Sequence, residues 1–408
     1  MIPLLDVLES LDLSRAEPGI GSLRALFCRF NARVPFETAS KIVRDESVAE
    51  TREKPRGPEV FWREHLELGA GGSCFARVAA FGALLEALGY SARKILGRVA
   101  EDFDHAALIV DLPERSWLCD VGFPLPALLP VAAGETETPL GLLRVSDSPG
   151  SLHVDLGGVP EGPRWVELFL AEVSEAEFLG HWRRTFRSGA HFLGAVYLRR
   201  ELEGRVLSFS RGEVRVDDLH SRLQLPLAAS RPARLAELFG IDAELLARAF
   251  DRAGDPDPEI PYARLTAYLD VDAEPERAFS AIANPDGYRR LLEGVAEVSA
   301  PEVISDGWVL RLAPPETGPE GEEGGLQERV VPDAPLRLLK IERRSGSTRS
   351  ESFFQAEERG GRSYLKRGVR LQGSREDLLR NDSLRGRLAG SLAVDLLAWA
   401  RILSGPGP

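Results

Sequence analysis

The thiol of Cys74 stands at a point in the sequence where a cysteine could act as a nucleophile. It follows the glycine-rich segment GAGGS (69–73) and precedes hydrophobic residues at steps of three and four, the period of one helix face: Val78, Phe81, Leu85 and Leu88. We therefore predict a helix that begins at Cys74 and stops near Gly89. The N–H groups and dipole of a helix N-terminus favour the reactive thiolate. Taken alone, a free cysteine is more commonly a small buried core residue.

Two apolar runs further along the chain contain the residues that such a nucleophile needs as partners. DHAALIVDL (104–112) and SWLCDVGF (116–123) are rich in β-forming residues, and a short segment with Pro113 separates them. This pattern predicts an antiparallel hairpin that is buried on both faces. A histidine opens the first strand and an aspartate lies close to the end of the second.

The register of this hairpin decides whether the two polar residues meet. If Asp111 pairs with Ser116, Asp120 falls on the same face as His105, one diagonal neighbour away. A shift of one residue would put them on opposite faces. A buried carboxylate requires a partner, and His105 is the nearest one. Its second nitrogen could then take the proton of Cys74 while the aspartate fixes the orientation of the ring.

Composition limits the setting of this chemistry. A chain of 408 residues suggests two or three domains. Its net charge of −12 argues against a nucleic-acid-binding surface. It has three cysteines and no CxxC pair, so we expect neither a disulfide framework nor a metal site. The N-terminus lacks the pattern of a signal peptide, and no apolar run is long enough to insert into a membrane, so we expect a cytoplasmic protein.

The order of sequence patterns indicates an α+β protein with a boundary near residue 255. Helical patterns come first, residues 93–220 are rich in strands, and residues 231–252 return to helices. The segment AGDPDPEIP has the composition of an exposed linker. The predicted division is a first domain at 1–252, a linker at 253–261 and a second domain at 262–408.

The second domain shows a different pattern. It begins with a strand, a helix opened by Pro275 and another short helix, and it continues with several β-rich segments. Its last segment has one apolar stripe at helical spacing: Leu384, Leu388, Leu392, Leu396, Trp399 and Leu403. The pattern predicts a curved antiparallel sheet around one long C-terminal helix.

Residues 1–250 resemble the arylamine N-acetyltransferases. The similar segments are RVPFETAS (33–40), GGSCF (71–75) and the two hairpin strands. The resemblance implies a transglutaminase- or papain-like cysteine acyltransferase fold with a helical N-terminal part, a β-barrel-like middle and a helical lid. It also implies catalytic roles for three residues and substrate contacts for three others. The catalytic residues would be Cys74, His105 and Asp120, and the substrate-binding residues would be Phe36, Phe123 and Ser73.

The chain departs from the family pattern at four positions around the site. Ala70 stands where the family usually has an arginine before the two glycines, and Ala76 and Val78 stand where it usually has glutamate and asparagine. Pro124 replaces a usual glycine.

Residues 262–408 resemble the START and polyketide-cyclase-like helix-grip superfamily (SRPBCC) in the order of their elements, without a diagnostic motif. This resemblance implies a domain that holds a hydrophobic or aromatic small molecule between sheet and helix.

The first of these resemblances, at residues 1–250, implies an acyltransferase. It would move an acyl group, expected to be acetyl, from coenzyme A to an aromatic amine or hydrazine, with acyl-CoA as co-substrate and no permanently bound cofactor. A cysteine hydrolase, peptidase or amide synthase using the same three residues is one alternative. Another is a binding protein for a hydrophobic small molecule in which those residues are vestigial. The sequence predicts neither a nucleic-acid partner nor an oligomeric state.

Overall fold

The computed structural model of the protein divides into two compact units. The first comprises Met1–Leu219 and Leu227–Glu259, and the second comprises His220–Pro226 and Ile260–Pro408. The structure describes residues 2–100, 103–123, 125–156, 165–190, 192–202, 204–227, 231–254, 262–292, 299–312, 326–345, 348–359, 362–371, 377–380 and 382–404. Most of the predicted linker, residues 255–261, therefore lies outside the described residues, as does Pro124.

Helices form most of the first 90 residues, as the sequence predicts. They are α1 (Leu4–Ser10), α2 (Ile20–Arg33), α3 (Ala39–Ser47), α4 (Pro58–Leu68) and α5 (Cys74–Ala87), with the short strand β1 (Phe36–Glu37) between α2 and α3. Pro58 occupies the first turn of α4, where its fixed φ and missing N–H are tolerated.

Helix α5 is the central element of the first unit. It begins at Cys74 and is buried on nearly all sides, not on one face only as its hydrophobic spacing suggests. At its end the N–H of Gly89 donates to Glu86 O and the N–H of Tyr90 donates to Leu85 O, each at 3.0 Å. Because Gly89 has a φ of 87°, these bonds form the glycine-dependent motif that commonly ends a helix. Both predicted ends of α5 are therefore confirmed.

An antiparallel sheet packs against α5 through the strands β2 (Ser91–Arg98) and β3 (His105–Asp111). Its strand order is β5-β4-β3-β2-β9-β8-β7-β6. The strands are β2 (Ser91–Arg98), β3 (His105–Asp111), β4 (Ser116–Cys119), β5 (Leu129–Pro130), β6 (Gly134–Thr138), β7 (Gly141–Ser148), β8 (Ser151–Asp155) and β9 (Trp165–Phe169).

The hairpin of β3 and β4 has the register that brings the predicted partners together. Asp111 pairs with Ser116, and Leu108 pairs with Cys119. The second strand is shorter than predicted, because β4 ends at Cys119 and residues 121–123 form a turn. Residues 105–110 are all buried, which agrees with the prediction of a hairpin covered on both faces.

The remaining elements of the first unit follow this sheet. They are α6 (Glu175–Arg184), β10 (Leu198–Leu202), β11 (Arg205–Ser210), β12 (Glu213–Asp217), α7 (Arg231–Phe239) and α8 (Ala243–Ala253). Strand β10 pairs with β1 and β11, and β11 pairs with β12.

The second unit contains a second antiparallel sheet. Its strand order is β13-β14-β20-β19-β18-β17-β16-β15. The strands are β13 (Ser221–Pro226), β14 (Arg264–Val271), β15 (Glu302–Ile304), β16 (Gly307–Leu312), β17 (Leu326–Asp333), β18 (Leu338–Ser345), β19 (Thr348–Arg359) and β20 (Arg362–Arg370). Sequence reasoning assigned Ser221–Pro226 to the first domain, but this strand pairs with β14.

Four helices accompany this sheet in the described part of the second unit. They are α9 (Pro275–Ser280), α10 (Pro285–Leu292), α11 (Asp377–Arg380) and α12 (Asp382–Ser404). Helix α12 packs against β14 and β20, and its residues Leu392, Leu396 and Trp399 are buried. Three of the six residues of the predicted apolar stripe are therefore buried, and the other three, Leu384, Leu388 and Leu403, are half-buried.

Candidate active site

Cys74 is the first residue of α5, and its backbone continues directly from the glycine-rich turn. Its side chain is buried, and its Sγ lies 3.7 Å from the carbonyl oxygen of Asp104, just before β3. Ser73 is the N-cap residue, and its hydroxyl makes no capping hydrogen bond. The N–H groups at the start of α5 therefore donate no hydrogen bond to this side chain, and they are oriented to favour negative charge.

His105 lies between the other two predicted catalytic residues. Its Nε2 is 2.8 Å from Oδ2 of Asp120. A Cβ built on Gly122 would lie 3.0 Å from Cβ of Cys74 and 3.1 Å from Cε1 of His105. The cysteine and histidine side chains are therefore close neighbours, and both border the space beside this glycine. Because Nε2 faces Asp120, Nδ1 is the ring nitrogen left for the thiol.

Asp120 is fully buried and has three hydrogen-bond partners. Besides the bond to His105, its Oδ1 accepts hydrogen bonds from the backbone N–H groups of Gly122 (3.0 Å) and Phe123 (2.9 Å). These bonds satisfy a carboxylate that would otherwise be costly to bury. The turn after β4 thus fixes the carboxylate, and the carboxylate fixes the imidazole ring.

The electrostatics of this group favour a charged histidine. Burial by itself lowers the pKa of His105, but the charge of Asp120, its hydrogen bond and the neighbouring Cys74 together raise that pKa to about 10. The buried Lys41 of α3 also interacts electrostatically with Cys74. Burial lowers the pKa of Lys41 to about 8, although Cys74 and Asp45 act in the opposite direction. The imidazolium form of His105 is therefore favoured at neutral pH.

The three predicted substrate-binding residues lie near this group. Phe36 is buried and makes edge contacts with the rings of Phe192 and Tyr197, with centroids 5.5 and 5.7 Å apart. Phe36 also forms an isolated β-bridge with Gly72 of the nucleophile turn. The ring of Phe123 lies 4.8 Å from the guanidinium of Arg199. Ser73 is buried. Their roles toward a substrate stay predictions.

Arg77 supports the site from within α5, and sequence reasoning missed it. Its Nε donates to Val121 O at 2.6 Å, its Nη2 donates to Asn31 Oδ1 at 2.9 Å, and its Nη1 donates to Val34 O. Arg77 is fully buried. It therefore ties the helix of Cys74 to the turn after Asp120. No pattern in the sequence marks this residue, because its acceptors are backbone and amide groups far away along the chain.

His65 is a second missed residue, and it supports the turn before Cys74. Its Nδ1 lies 3.1 Å from Ala70 O. Burial lowers the pKa of His65 to about 4, so the ring is neutral at neutral pH and its Nδ1–H donates to that carbonyl. Gly69 follows α4 with a φ of 63°, which a residue with a side chain rarely adopts.

Other kinds of site are not found in the part of the chain that the structure describes. Those residues include no cluster of three or more His, Cys, Asp or Glu side chains placed to hold a metal ion. None of the helices formed by them is long and apolar enough to cross a membrane. The apolar segments around Cys28 (LRALFCRF) and Cys119 predict core positions for both thiols. Cys119 is buried, whereas Cys28 is exposed on α2.

Comparison with known proteins shows where this chain is similar to others. A family model described as N-acetyltransferase matches residues 19–141. The chain is 29% identical over 182 residues to the arylamine N-acetyltransferase of Escherichia coli (strain K12), which covers 42% of this chain and 56% of that protein. It is 26% identical over 159 residues to an arylamine N-acetyltransferase / N-hydroxyarylamine O-acetyltransferase of Salmonella typhimurium. This match covers 37% of this chain and 51% of that protein. In these two sequence alignments the chain thus spans about half the length of the relative.

Solved structures show the same likeness at the level of the fold. The arylamine N-acetyltransferase of Mycobacterium marinum superposes with a TM-score of 0.54 at 20% identity, over 61% of this chain and 98% of that one. The same enzyme in complex with CoA superposes with a TM-score of 0.54 at 19% identity, over 61% of this chain and 99% of that one. The enzyme of Salmonella typhimurium superposes with a TM-score of 0.53 at 22% identity, over 61% of this chain and 97% of that one. About three fifths of this chain therefore share the fold of the arylamine N-acetyltransferases, and residues 19–141 match the N-acetyltransferase family model.

Proposed function

We propose that this chain is an acyltransferase that carries an acyl group, acetyl in the simplest case, from coenzyme A to an aromatic amine or hydrazine. The observation that carries the proposal is the placement of His105 between the carboxylate of Asp120 and the thiol of Cys74. The similarity of residues 19–141 to N-acetyltransferases supports it. Acyl transfer through a cysteine needs a thiolate, a proton carrier and a group that orients the carrier. These three residues are of the types that supply them.

In the first half-reaction the thiolate of Cys74 attacks the thioester carbonyl of acyl-CoA. Backbone N–H groups at the start of α5 would stabilise the oxyanion that forms. The bond between the carbonyl carbon and the coenzyme sulfur then breaks, and the His105 imidazolium gives its proton to the departing sulfur. The products are free coenzyme A, neutral His105 and an acyl thioester on Cys74.

In the second half-reaction the amine attacks this thioester. Neutral His105 accepts the proton that the amine nitrogen loses, and the bond between the acyl carbon and the Cys74 sulfur breaks. The amide leaves, and the thiolate–imidazolium pair is restored. Asp120 holds the ring in one orientation and stabilises its charged form throughout.

Intact-mass measurement after incubation with a panel of acyl-CoA thioesters tests this proposal. We expect a mass increase equal to the acyl group, a stoichiometric burst of coenzyme A, and loss of both in Cys74→Ala. Addition of an aromatic amine should remove the acyl group and yield the amide. A folded wild-type protein that accepts no acyl group would contradict the proposal.

The same experiment separates the alternatives. A hydrolase, peptidase or amide synthase would act on an amide or peptide substrate without a coenzyme A burst, with water or another amine as the attacking group. A binding protein with vestigial residues would show neither acylation nor cleavage, while retaining affinity for an apolar ligand.

We also propose that the second unit is a helix-grip domain that binds an apolar or aromatic acceptor. Aromatic rings follow one another across its buried interior, from Trp308 to Tyr288, Phe354 and Trp399, with centroids 5.6–6.4 Å apart. The indole N–H of Trp308 is buried and has no hydrogen-bond partner among the described residues. An unsatisfied donor in such surroundings is costly, and an acceptor atom on a bound aromatic molecule would satisfy it. Tethering would raise the acceptor's effective concentration to about millimolar if the linker is short and flexible.

The full chain with Trp308→Phe tests this second proposal. We expect the KM for 4-hexylaniline to rise several-fold and the KM for aniline to stay unchanged, with acylation of Cys74 by acyl-CoA unaffected. Trp117→Phe is the matched control, because the indole N–H of Trp117 in β4 is also buried without a partner in the described structure. Equal changes in both variants would contradict a ligand site at Trp308.

A further inference from the structure

The turn that carries Cys74 is held by a guanidinium from outside the turn. Nη2 of Arg56 donates to Gly71 O at 2.6 Å, three residues before the nucleophile. Nη1 of the same group donates to Glu64 of α4 at 2.5 Å. Arg56 is buried, and its guanidinium lies over the ring of Phe61, 5.3 Å from the centroid. The guanidinium is therefore held by Glu64 and Phe61 while it bonds to the turn at Gly71.

The glycines of the turn make this contact possible. A Cβ built on Gly72 would lie 2.8 Å from Nη2 of Arg56 and 2.9 Å from Cβ of Ala76. The guanidinium thus occupies the space beside residue 72 that a side chain would fill. On the other side of the turn, a Cβ on Gly71 would overlap the carbonyl of Pro35. The turn is therefore confined between the backbone at Pro35 and the guanidinium.

The loop before α4 is itself fixed in place. Nε of Arg44 donates to Lys54 O at 2.6 Å, and its Nη2 donates to Glu53 O at 2.9 Å. Nζ of Lys54 bonds to Oδ1 of Asp45 at 2.7 Å. Helix α3 thus holds the segment just before Arg56 through three hydrogen bonds. Because two of them are charge-assisted bonds to backbone carbonyls, the position of the guanidinium is well defined.

We propose that Arg56 is a positioning residue for the nucleophile: through Gly71 O it sets the place of the Cys74 sulfur relative to His105. The expected effect of Arg56 on acyl transfer rests on the proposed function. Its expected effect on the reactivity of the Cys74 thiol does not. It also accounts for Ala70 and Ala76, where the resembling family usually has arginine and glutamate. Here a guanidinium reaches the turn from position 56, and the carboxylate of Glu64 bonds to that guanidinium.

Three full-length variants test this role. Arg56→Met removes both hydrogen bonds, and Arg56→Lys keeps the charge but cannot span Gly71 O and Glu64 as a planar fork. Arg52→Met is the matched control. Arg52 lies four residues before Arg56 in the same loop region, and its side chain is 73% exposed. For each variant, iodoacetamide labelling of Cys74 is compared with that of Cys28 in the same molecule by peptide mapping. The coenzyme A burst and the thermal midpoint are measured alongside.

We expect Arg56→Met to slow Cys74 labelling and acylation about 10- to 100-fold, the usual result of displacing a reacting group by about 1 Å. The KM for acyl-CoA and the labelling of Cys28 should change less than about twofold. Arg56→Lys should recover part of the loss, and Arg52→Met should behave as wild type. A merely structural role would lower the thermal midpoint without changing the labelling ratio in folded protein.

Two results overturn the inference. One is a folded Arg56→Met in which Cys74 reacts as fast as in wild type. If that variant does not fold, the decisive result is a folded Arg56→Lys with an unchanged labelling ratio. Failure of the proposed function has a different signature: the wild type accepts no acyl group from any acyl-CoA, while the effect of Arg56 on labelling remains.

Discussion

His105 and Asp120 form a buried pair in which Nε2 and Oδ2 lie 2.8 Å apart and almost no part of either side chain is exposed to solvent. The pair joins the first residue of β3 to the turn that follows β4. Because Oδ1 of Asp120 is held by two backbone N–H groups, the carboxylate cannot rotate without losing hydrogen bonds in a dry environment. The direction of the imidazole ring is therefore set by the hairpin turn.

Replacement of Asp120 by asparagine should leave the fold largely intact and lower acyl transfer by orders of magnitude. Asparagine can still accept the two backbone hydrogen bonds, but it carries no charge to stabilise an imidazolium. The corresponding change in a serine-protease triad costs about 10⁴ in kcat. Steady-state acyl transfer and circular dichroism measure the two effects. Asp111→Asn at the exposed end of the same hairpin is the control, and wild-type turnover in a folded Asp120→Asn would remove Asp120 from the mechanism.

Cys74 should react with iodoacetamide near neutral pH much faster than Cys28 or Cys119. It lies at a helix N-terminus beside His105, whereas burial raises the pKa of Cys119 well above its ordinary value. Cys28 is exposed on α2, but partial burial raises the pKa of its thiol as well. Timed labelling followed by peptide mapping gives the three rates. Comparable slow rates at all three cysteines would identify Cys74 as a structural residue.

The parts of this site that the sequence predicts are those set by local patterns. Helical spacing and a following glycine define both ends of α5, and the length of the loop between Asp111 and Ser116 determines the hairpin register. That register brings His105 and Asp120 together. Each of these inferences depends on periodicity over a few residues, which the local backbone geometry enforces.

The parts that sequence reasoning missed depend on contacts between distant segments. Arg56, His65 and Arg77 act on backbone carbonyls, and any residue can supply a carbonyl, so the sequence gives no pairing signal. Strand β13 joins the second sheet because β14 is its partner, and a partner strand cannot be read from the strand's own residues. Cys28 is exposed because α2 turns Leu23, Leu26, Phe27 and Phe30 toward the core and Cys28 away from it.

The free energy of unfolding should depend on pH through His105. Its pKa is raised to about 10 in the folded protein, while an unperturbed histidine has a pKa near 6.5. A raised folded-state pKa contributes stability that is complete below about pH 6.5 and is lost as pH approaches 10. Urea unfolding of wild type and Asp120→Asn measures this contribution. The difference between them should shrink from pH 6.5 to pH 10, and a difference that grows over this range would contradict the charged pair.

Gly122 should not tolerate a side chain, because Cys74, His105 and the backbone of Ala106 already fill the space beside it. A Cβ at this position would overlap the carbonyl oxygen of Ala106 and come within 3.0 Å of Cβ of Cys74 and 3.1 Å of Cε1 of His105. The backbone oxygen cannot move away as a flexible side chain would, so Gly122→Ala must shift the turn that carries Asp120. We expect a thermal midpoint lower by several degrees and a loss of Cys74 acylation of at least about tenfold. Gly134→Ala in β6 is the control, because a Cβ there meets nothing within 4 Å. If Gly122→Ala retains both wild-type stability and wild-type acylation, the close packing of Cys74 and His105 beside this glycine is wrong.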